Sequence, residues 1–226
     1  MRPRAILFDF DGVLVNSEPL HCIAYRRLAA SIGIDLTEEQ YYGQLIGYDD
    51  VGAMRRVLAL HGRQADDAAI ARLIAAKSTI AMELIQRGQF AVLPGVEDLL
   101  AATSSRIPLG ICSAALREEV SAMLQASKLR QHFTVVVTTE DVTVAKPDPS
   151  GYLLTARLLS ERTRRDLPPQ RCLVVEDAPN VAARAATVGF RVIGVTTTRP
   201  AAQWPADIPT VATPGDLRGL LEIEPG

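Results

Sequence analysis

Residues 4–8 read RAILF, and residues 9–12 that follow read DFDG. The first five form an unbroken apolar run of strand length that stops abruptly at an acid. A strand with one wet face alternates polar and apolar residues. A continuous run has no wet face, which is the pattern of a parallel strand buried on both sides. Four later stretches repeat it: residues 107–112 (IPLGIC), 133–137 (FTVVV), 171–175 (RCLVV) and 190–195 (FRVIGV). Helical spacing fills the gaps between the later runs, over residues 118–127, 150–161 and 180–187. Strands alternating with helices predict a doubly wound α/β sheet.

The segment after the first strand breaks that rhythm. From residue 16 to about residue 91 no convincing strand occurs, and helical stretches cover residues 21–32, 49–61 and 67–86. The last of these opens on Asp66, a plausible N-cap, and spaces Ile70, Leu73, Ile74, Ile80, Leu84 and Ile85 along one face. Pro94-Gly95 then punctuates the chain before the α/β pattern resumes. The expected organisation is an α/β core from residues 1–15 and 93–226, with an all-helical domain of residues 16–92 inserted after the first strand. Residues 200–214 are Pro-rich and read as a loop leading to a final strand and short helix.

Ligands of open parallel sheets sit in the crevice at the carboxyl ends of the strands, so the strand ends are where chemistry is sought. The first strand ends in Asp9-Phe10-Asp11-Gly12, the second in Ser113-Ala114, and the fourth in Glu176-Asp177. The third leads to a loop carrying Lys146 in AKPDP. Clustered carboxylates repel one another unless a cation binds among them, and oxygen ligands suit Mg²⁺, which also takes substrate phosphate. Residues two apart on an extended segment point the same way. One aspartate of the DxD can then attack phosphorus while the other handles a proton. Each element also has a plainer reading. Asp9 and Asp11 serve equally as turn formers, Ser113 as a helix N-cap, Glu176 and Asp177 as a solvated strand end, and Lys146 as a surface residue.

Composition narrows the class. The chain has 226 residues, 48% hydrophobic and 22% charged, with a net charge of −2. That balance gives no reason to expect nucleic acid or an anionic membrane as partner. No apolar run is long enough to span a bilayer, and the early acids do not fit a secretory leader. Cys22, Cys112 and Cys172 are too widely spaced for a metal-binding pattern and read as reduced thiols of a cytoplasmic protein. All but three of the 24 basic residues are Arg. The exceptions, Lys77, Lys128 and Lys146, are therefore informative, because Lys and Arg are not interchangeable at a tight site.

Taken in order, DFDGVLVNSEPLH, ICSA, AKPDP and VVEDAPNV resemble the four motifs of the haloacid dehalogenase superfamily. The helical insert resembles the cap of its β-phosphoglucomutase-like branch, which includes small sugar-phosphate phosphatases. The resemblance implies a Rossmann-like core and an Mg²⁺-dependent phosphatase working through an aspartyl-phosphate. Asp9 would be the nucleophile and Asp11 the general acid/base. Ser113, Ala114 and Lys146 would hold the phosphoryl group. Mg²⁺ would take Asp9, the Asp11 carbonyl, Asp177, and Glu176 directly or through water. The same pattern places His21 and Lys77 as substrate contacts in the cap, with a polar or snorkelling residue as the plainer reading of each.

The alternative activity is a sugar-phosphate mutase, whose pattern has an Arg for the second phosphate where this chain has Gly47-Tyr48-Asp49-Asp50. An acidic loop should repel that phosphate, which favours hydrolysis; Arg55 and Arg117 are the stand-ins by position. A phosphonatase, with Lys77 as Schiff-base lysine, and a phospho-accepting signalling module fit less well. The expected partner is a small phosphorylated metabolite, and the expected state is a cytoplasmic monomer or weak homodimer.

Overall fold

The computed structural model describes residues 3–46, 48 and 50–221. In chain order, β1 (Ala5–Phe8) and β2 (Val15–Asn16) precede the helices α1 (Glu18–Ser31), α2 (Glu38–Gln44), α3 (Asp50–Leu60) and α4 (Asp67–Gln86). There follow β3 (Ala91–Val92), α5 (Val96–Ser104), β4 (Leu109–Cys112), α6 (Arg117–Ala126), β5 (Val135–Val137) and α7 (Ser150–Thr163). The chain ends through β6 (Cys172–Glu176), α8 (Pro179–Thr187), β7 (Arg191–Val195), β8 (Thr210–Val211) and α9 (Leu217–Leu220). Two compact units result. One combines the residues up to Asn16 with those from Ala91 onward; the other is Ser17–Phe90. None of the described helices is long and apolar enough to cross a membrane.

The doubly wound α/β sheet expected from the apolar runs is present in the first unit. Its parallel strands lie in the order β5-β4-β1-β6-β7-β8. The chain builds outward from β1 in both directions, so strand order reverses there, and a crevice opens at the carboxyl end of β1. All four β1 side chains are fully buried, as an unbroken apolar run requires. Register then does the positioning. Phe8 pairs with Ile111 on one side and Val175 on the other, so the residues just beyond them come level at one edge of the sheet. The helix α7 buries Tyr152, Thr155, Ala156 and Leu159, one helical face, against β4, β5 and β1. It lies so close that a Cβ on Gly110 would sit 2.7 Å from Thr155 Cγ2.

Three details depart from the sequence reading. A short antiparallel ribbon, β2 with β3, flanks the insert, where no strand was expected. The last strand, β8, falls inside the Pro-rich stretch and not after it. Two further helices, α2 and α5, form in segments where the sequence reading placed none, although Val96, Leu99 and Leu100 of α5 carry a helical spacing.

In the helical unit, α4 packs on α1 and α3. Its core gathers Tyr25 and Leu28 from α1, Tyr41 from α2, Met54 and Val57 from α3, and Ile70 from α4. Asp66 caps α4 by accepting from Ala69 N at 2.7 Å, which satisfies one of the orphan amides of the first turn.

Candidate active site

Asp9 stands one residue past β1, and its amide continues the ladder by donating to Val175 O at 2.9 Å. Ser113 stands one residue past β4 and donates likewise to Val137 O. Glu176 closes β6, with Asp177 next. Ladder register therefore delivers four polar side chains to one edge, as the strand-end argument anticipated. Lys146 arrives from the loop before α7 and donates to Asp9 Oδ1 and, at 3.0 Å, to Glu176 Oε2. Far from being a surface residue, Lys146 has a side chain only 12% exposed.

Asp9, Glu176 and Asp177 bring carboxylate oxygens within 4.8 Å of one another. Burial, and then the charges of Glu176 and Asp177, hold the Asp9 carboxyl well above its ordinary range against the pull of Lys146. Burial and Glu176 push Asp177 up to about 7, opposed by a hydrogen bond from Thr198. Burial disfavours the Lys146 ammonium, yet the charges of Asp9 and Glu176 keep its pKa above the usual lysine value. One lysine thus faces three carboxylates. This surplus of buried negative charge, on hard oxygen donors only, fits a divalent cation such as Mg²⁺. The Asp11 side chain is not part of that group of oxygens. The reading from the motif gives it a proton-transfer role and only its backbone carbonyl for the metal.

Ser113 is buried, and its hydroxyl accepts from Ala115 N at 3.0 Å. It is not a helix N-cap, because α6 begins beyond Leu116. Ser113, Ala114 and Lys146 line one small cleft at the ends of β4 and β5, together with Thr138 and Thr139. Cys112 lies beside it as an inert thiol, pushed up to about 12 by burial. All three cysteines are buried and free.

The structure adds residues that the sequence did not single out. Tyr152 donates to Glu176 Oε2 from the first turn of α7. Thr198, beyond β7, donates to Asp177 Oδ2 at 2.6 Å, and its neighbour Thr197 donates to the carbonyl of Gly12. Gly12 has φ +77°, and a Cβ there would lie 2.2 Å from Asp177 Oδ2. Only glycine lets the first motif approach that carboxylate.

His21 and Lys77 do come together, within the helical unit. Lys77 is buried; its ammonium lies 3.1 Å from Asp50 Oδ1 and 5.5 Å above the Tyr25 ring. Tyr25 donates to the same Oδ1 at 2.7 Å. Burial and then the charge of Lys77 push His21 down to about 3, against Asp50. Its Nδ1 is buried with no hydrogen-bond partner among the described residues. Gly47 and Asp49 of the acidic loop lie outside the described residues, but Asp50 is engaged with Lys77 and is not a lone repelling charge. The two arginines named as stand-ins are engaged as well, Arg55 with Asp67 and Arg117 with Asp141.

Residues 3–189 match the family model of haloacid dehalogenase-like hydrolases. Protein CbbY of Rhodobacter capsulatus is 32% identical, over 85% of each chain. Hexitol phosphatase A of Escherichia coli K12 is 32% identical, over 92% of this chain and 87% of its own. Among solved structures, a mutant of CbbY from Rhodobacter sphaeroides in complex with xylulose-(1,5)bisphosphate superposes with a TM-score of 0.79. It is 28% identical and matched over 95% of this chain and 96% of its own.

Proposed function

The chain belongs to the haloacid dehalogenase-like hydrolase family and is a phosphatase; from that premise we propose that it hydrolyses a small sugar or polyol phosphate through an aspartyl-phosphate on Asp9. The observation that carries this reading is Asp9 itself: a buried carboxylate at the end of β1, bonded to Lys146 and grouped with Glu176 and Asp177. The similarity to a hexitol phosphatase and to a protein that holds a sugar bisphosphate supports the substrate class.

In this mechanism an Asp9 carboxylate oxygen attacks phosphorus, and the bond from phosphorus to the ester oxygen breaks. Asp11 delivers a proton to the departing alkoxide. Asp11 then takes a proton from water, whose oxygen attacks the aspartyl-phosphate and restores the Asp9 carboxylate as phosphate leaves. Ser113, Ala114 and Lys146 hold the phosphoryl group, and Lys146 offsets its charge. Asp9, the Asp11 carbonyl, Asp177 and the neighbouring Glu176 would hold Mg²⁺, which when bound supplies positive charge for the clustered carboxylates and the phosphoryl oxygens.

His21 and Lys77 are assigned to substrate selection in the insert, residues 16–92, which we take as the cap of the core formed by residues 1–15 and 93–226. A mutase would need a cation there for a second phosphate, and Lys77 is committed to Asp50. That commitment favours hydrolysis. The partner is then a small metabolite, and the enzyme a cytoplasmic monomer or weak homodimer.

The test is phosphate release across a panel of sugar, polyol and other phosphate esters, with and without Mg²⁺. Strong Mg²⁺-dependent release from sugar or polyol esters is expected. Isomerisation of glucose 1-phosphate with a bisphosphate primer, without release, would sink the hydrolytic reading.

A further inference from the structure

We infer that Thr198 is a positioning residue for the cation site: its hydroxyl holds the Asp177 carboxylate in place as a ligand of Mg²⁺. The inference rests on the Mg²⁺-dependent phosphatase reading of this site. Asp177 stands beside Asp9 and Glu176, and like charges so close push one another apart. Lys146 bonds Asp9 and Glu176; Asp177 is bonded by Thr198, whose Oγ1 donates to Oδ2 at 2.6 Å. The same hydroxyl lies 3.2 Å from the Asp177 carbonyl, so the shorter contact, to a charged oxygen, is the stronger bond. A hydroxyl is the donor suited to this place. It carries no charge, so it steadies the carboxylate without repelling a cation. It fills one of about four acceptor places on that carboxylate, so the bond and a cation can be held together.

The chain leaving β7 fixes where that hydroxyl stands. β7 pairs with β6 so that Gly194 faces Glu176, one residue before Asp177. Thr196 extends the ladder on the other side, its amide donating to Val211 O at 3.0 Å. Thr197 donates from its hydroxyl to the carbonyl of Gly12. Thr198 follows with its methyl facing Gly12, where a Cβ would lie 3.0 Å from Cγ2. Three successive threonines are thereby anchored, to β8, to the loop after β1 and to Asp177. The branched Cβ of threonine narrows its χ1 choices, so the backbone aims the hydroxyl. Gly12 N donates to Val15 O at 2.8 Å, which orients the peptide that carries the Asp11 carbonyl. Residues 196–198 therefore tie together the two loops that offer the cation the Asp11 carbonyl and the Asp177 carboxylate.

Thr198→Val keeps the size and branching and removes the hydroxyl, whereas Thr198→Ser keeps the hydroxyl. Three measurements are made on the whole protein: calorimetric titration of the metal-free form with Mg²⁺, steady-state hydrolysis of p-nitrophenyl phosphate over a range of Mg²⁺, and thermal melting without metal. Loss of a group that orients a metal ligand costs about 10- to 100-fold in metal affinity. Thr198→Val should therefore raise the Mg²⁺ Kd by about 10-fold, and Thr198→Ser by no more than about 3-fold. The Mg²⁺ concentration that half-saturates kcat should rise in step, and saturating Mg²⁺ should return kcat to within about 3-fold of wild type. Because Thr198 is exposed, both metal-free variants should melt within about 3 °C of the wild type. An unchanged Kd for Thr198→Val, an equal loss in Thr198→Ser, or a kcat deficit that saturating Mg²⁺ leaves in place would overturn the assignment. So would a collapsed metal-free melt of Thr198→Val, which would make the residue structural, or a wild type that takes up no Mg²⁺. Absence of hydrolysis by the wild type would instead count against the phosphatase reading, while the Mg²⁺ titration would still judge Thr198.

Discussion

Each of the two units buries a lysine in the same three-residue arrangement. In the α/β unit, Lys146 and the Tyr152 hydroxyl both bond Glu176 Oε2, with the ammonium over the tyrosine ring. In the helical unit, the Tyr25 hydroxyl bonds Asp50 Oδ1 and Lys77 bonds Oδ2 of the same carboxylate at 3.2 Å, again with the ammonium over the ring. Removing a lysine from water is costly unless its charge is paired and its protons are placed, and both units meet that cost alike. The difference lies in what surrounds the triad. Asp9 and Asp177 stand beside the first, leaving negative charge in surplus and their own carboxyls pushed upward. Lys77 pairs with Asp50, a carboxylate about a third exposed. A buried Lys–carboxylate–Tyr triad is thus a way of housing a lysine; reactivity enters with the additional acids.

The contrast can be broken most forcefully at Asp9. Asp9→Asn should lower kcat by about 10⁴-fold, the scale on which loss of a covalent nucleophile is felt, with the cooperative melt preserved. A variant that keeps turning over at wild-type rate would deny the α/β triad any special status. Gly12→Ala comes next. Its Cβ would collide with the Asp177 carboxylate from a left-handed backbone, so about 100-fold in kcat/KM and about 2 kcal/mol of stability should be lost together. Kinetics and urea titration of one preparation test both halves.

In the helical unit the expected effect is on folding. Lys77→Met leaves Asp50 without its lysine. Because the Asp50 side chain is about a third exposed, the loss should be about 2 kcal/mol, less than for a fully buried pair. Adding Asp50→Asn should restore most of it, and urea midpoints of the three variants decide. The last effect is one of pH. Below the ordinary histidine value of 6.5, the unfolded chain takes a proton that His21, held at about 3, refuses. Its contribution is complete above pH 6.5 and is lost as pH falls toward 3, by at most about 1.4 kcal/mol per pH unit. His21→Gln should flatten the acid slope of stability between pH 6 and 4; an unchanged slope would remove His21 from that account.

Much of the α/β unit was legible because its signals are local. An apolar run of four or five residues that stops at a charge says both that a strand is buried and where its edge lies. Residues 4–12 therefore read correctly as strand and then polar edge. The scarcity of lysine was informative too: Lys77 and Lys146 are the two that fold into triads, while Lys128 stays exposed. A missed signal was also local. Thr37-Glu38-Glu39-Gln40 carries the spacing of a capping box, and both of its reciprocal bonds are formed at the start of α2. Tyr152 offered a fainter hint, as a hydroxyl on an otherwise apolar helix face must find a partner when buried.

What the sequence by itself determined was the architecture of the sheet and the set of polar residues at its strand ends, since hydrophobic period and its interruption are properties of neighbours in the chain. Which partner each polar group chose was decided only by tertiary structure. Tyr152 lies 24 residues from Glu176, Thr198 lies 21 from Asp177, and Lys77 lies 27 from Asp50. A hydrogen bond forms or fails within a few tenths of an ångström, and that precision comes from strand register and helix packing, not from spacing along the chain. Hence Asp50, which reads in the sequence as a repelling charge, is in the folded protein the partner of Lys77.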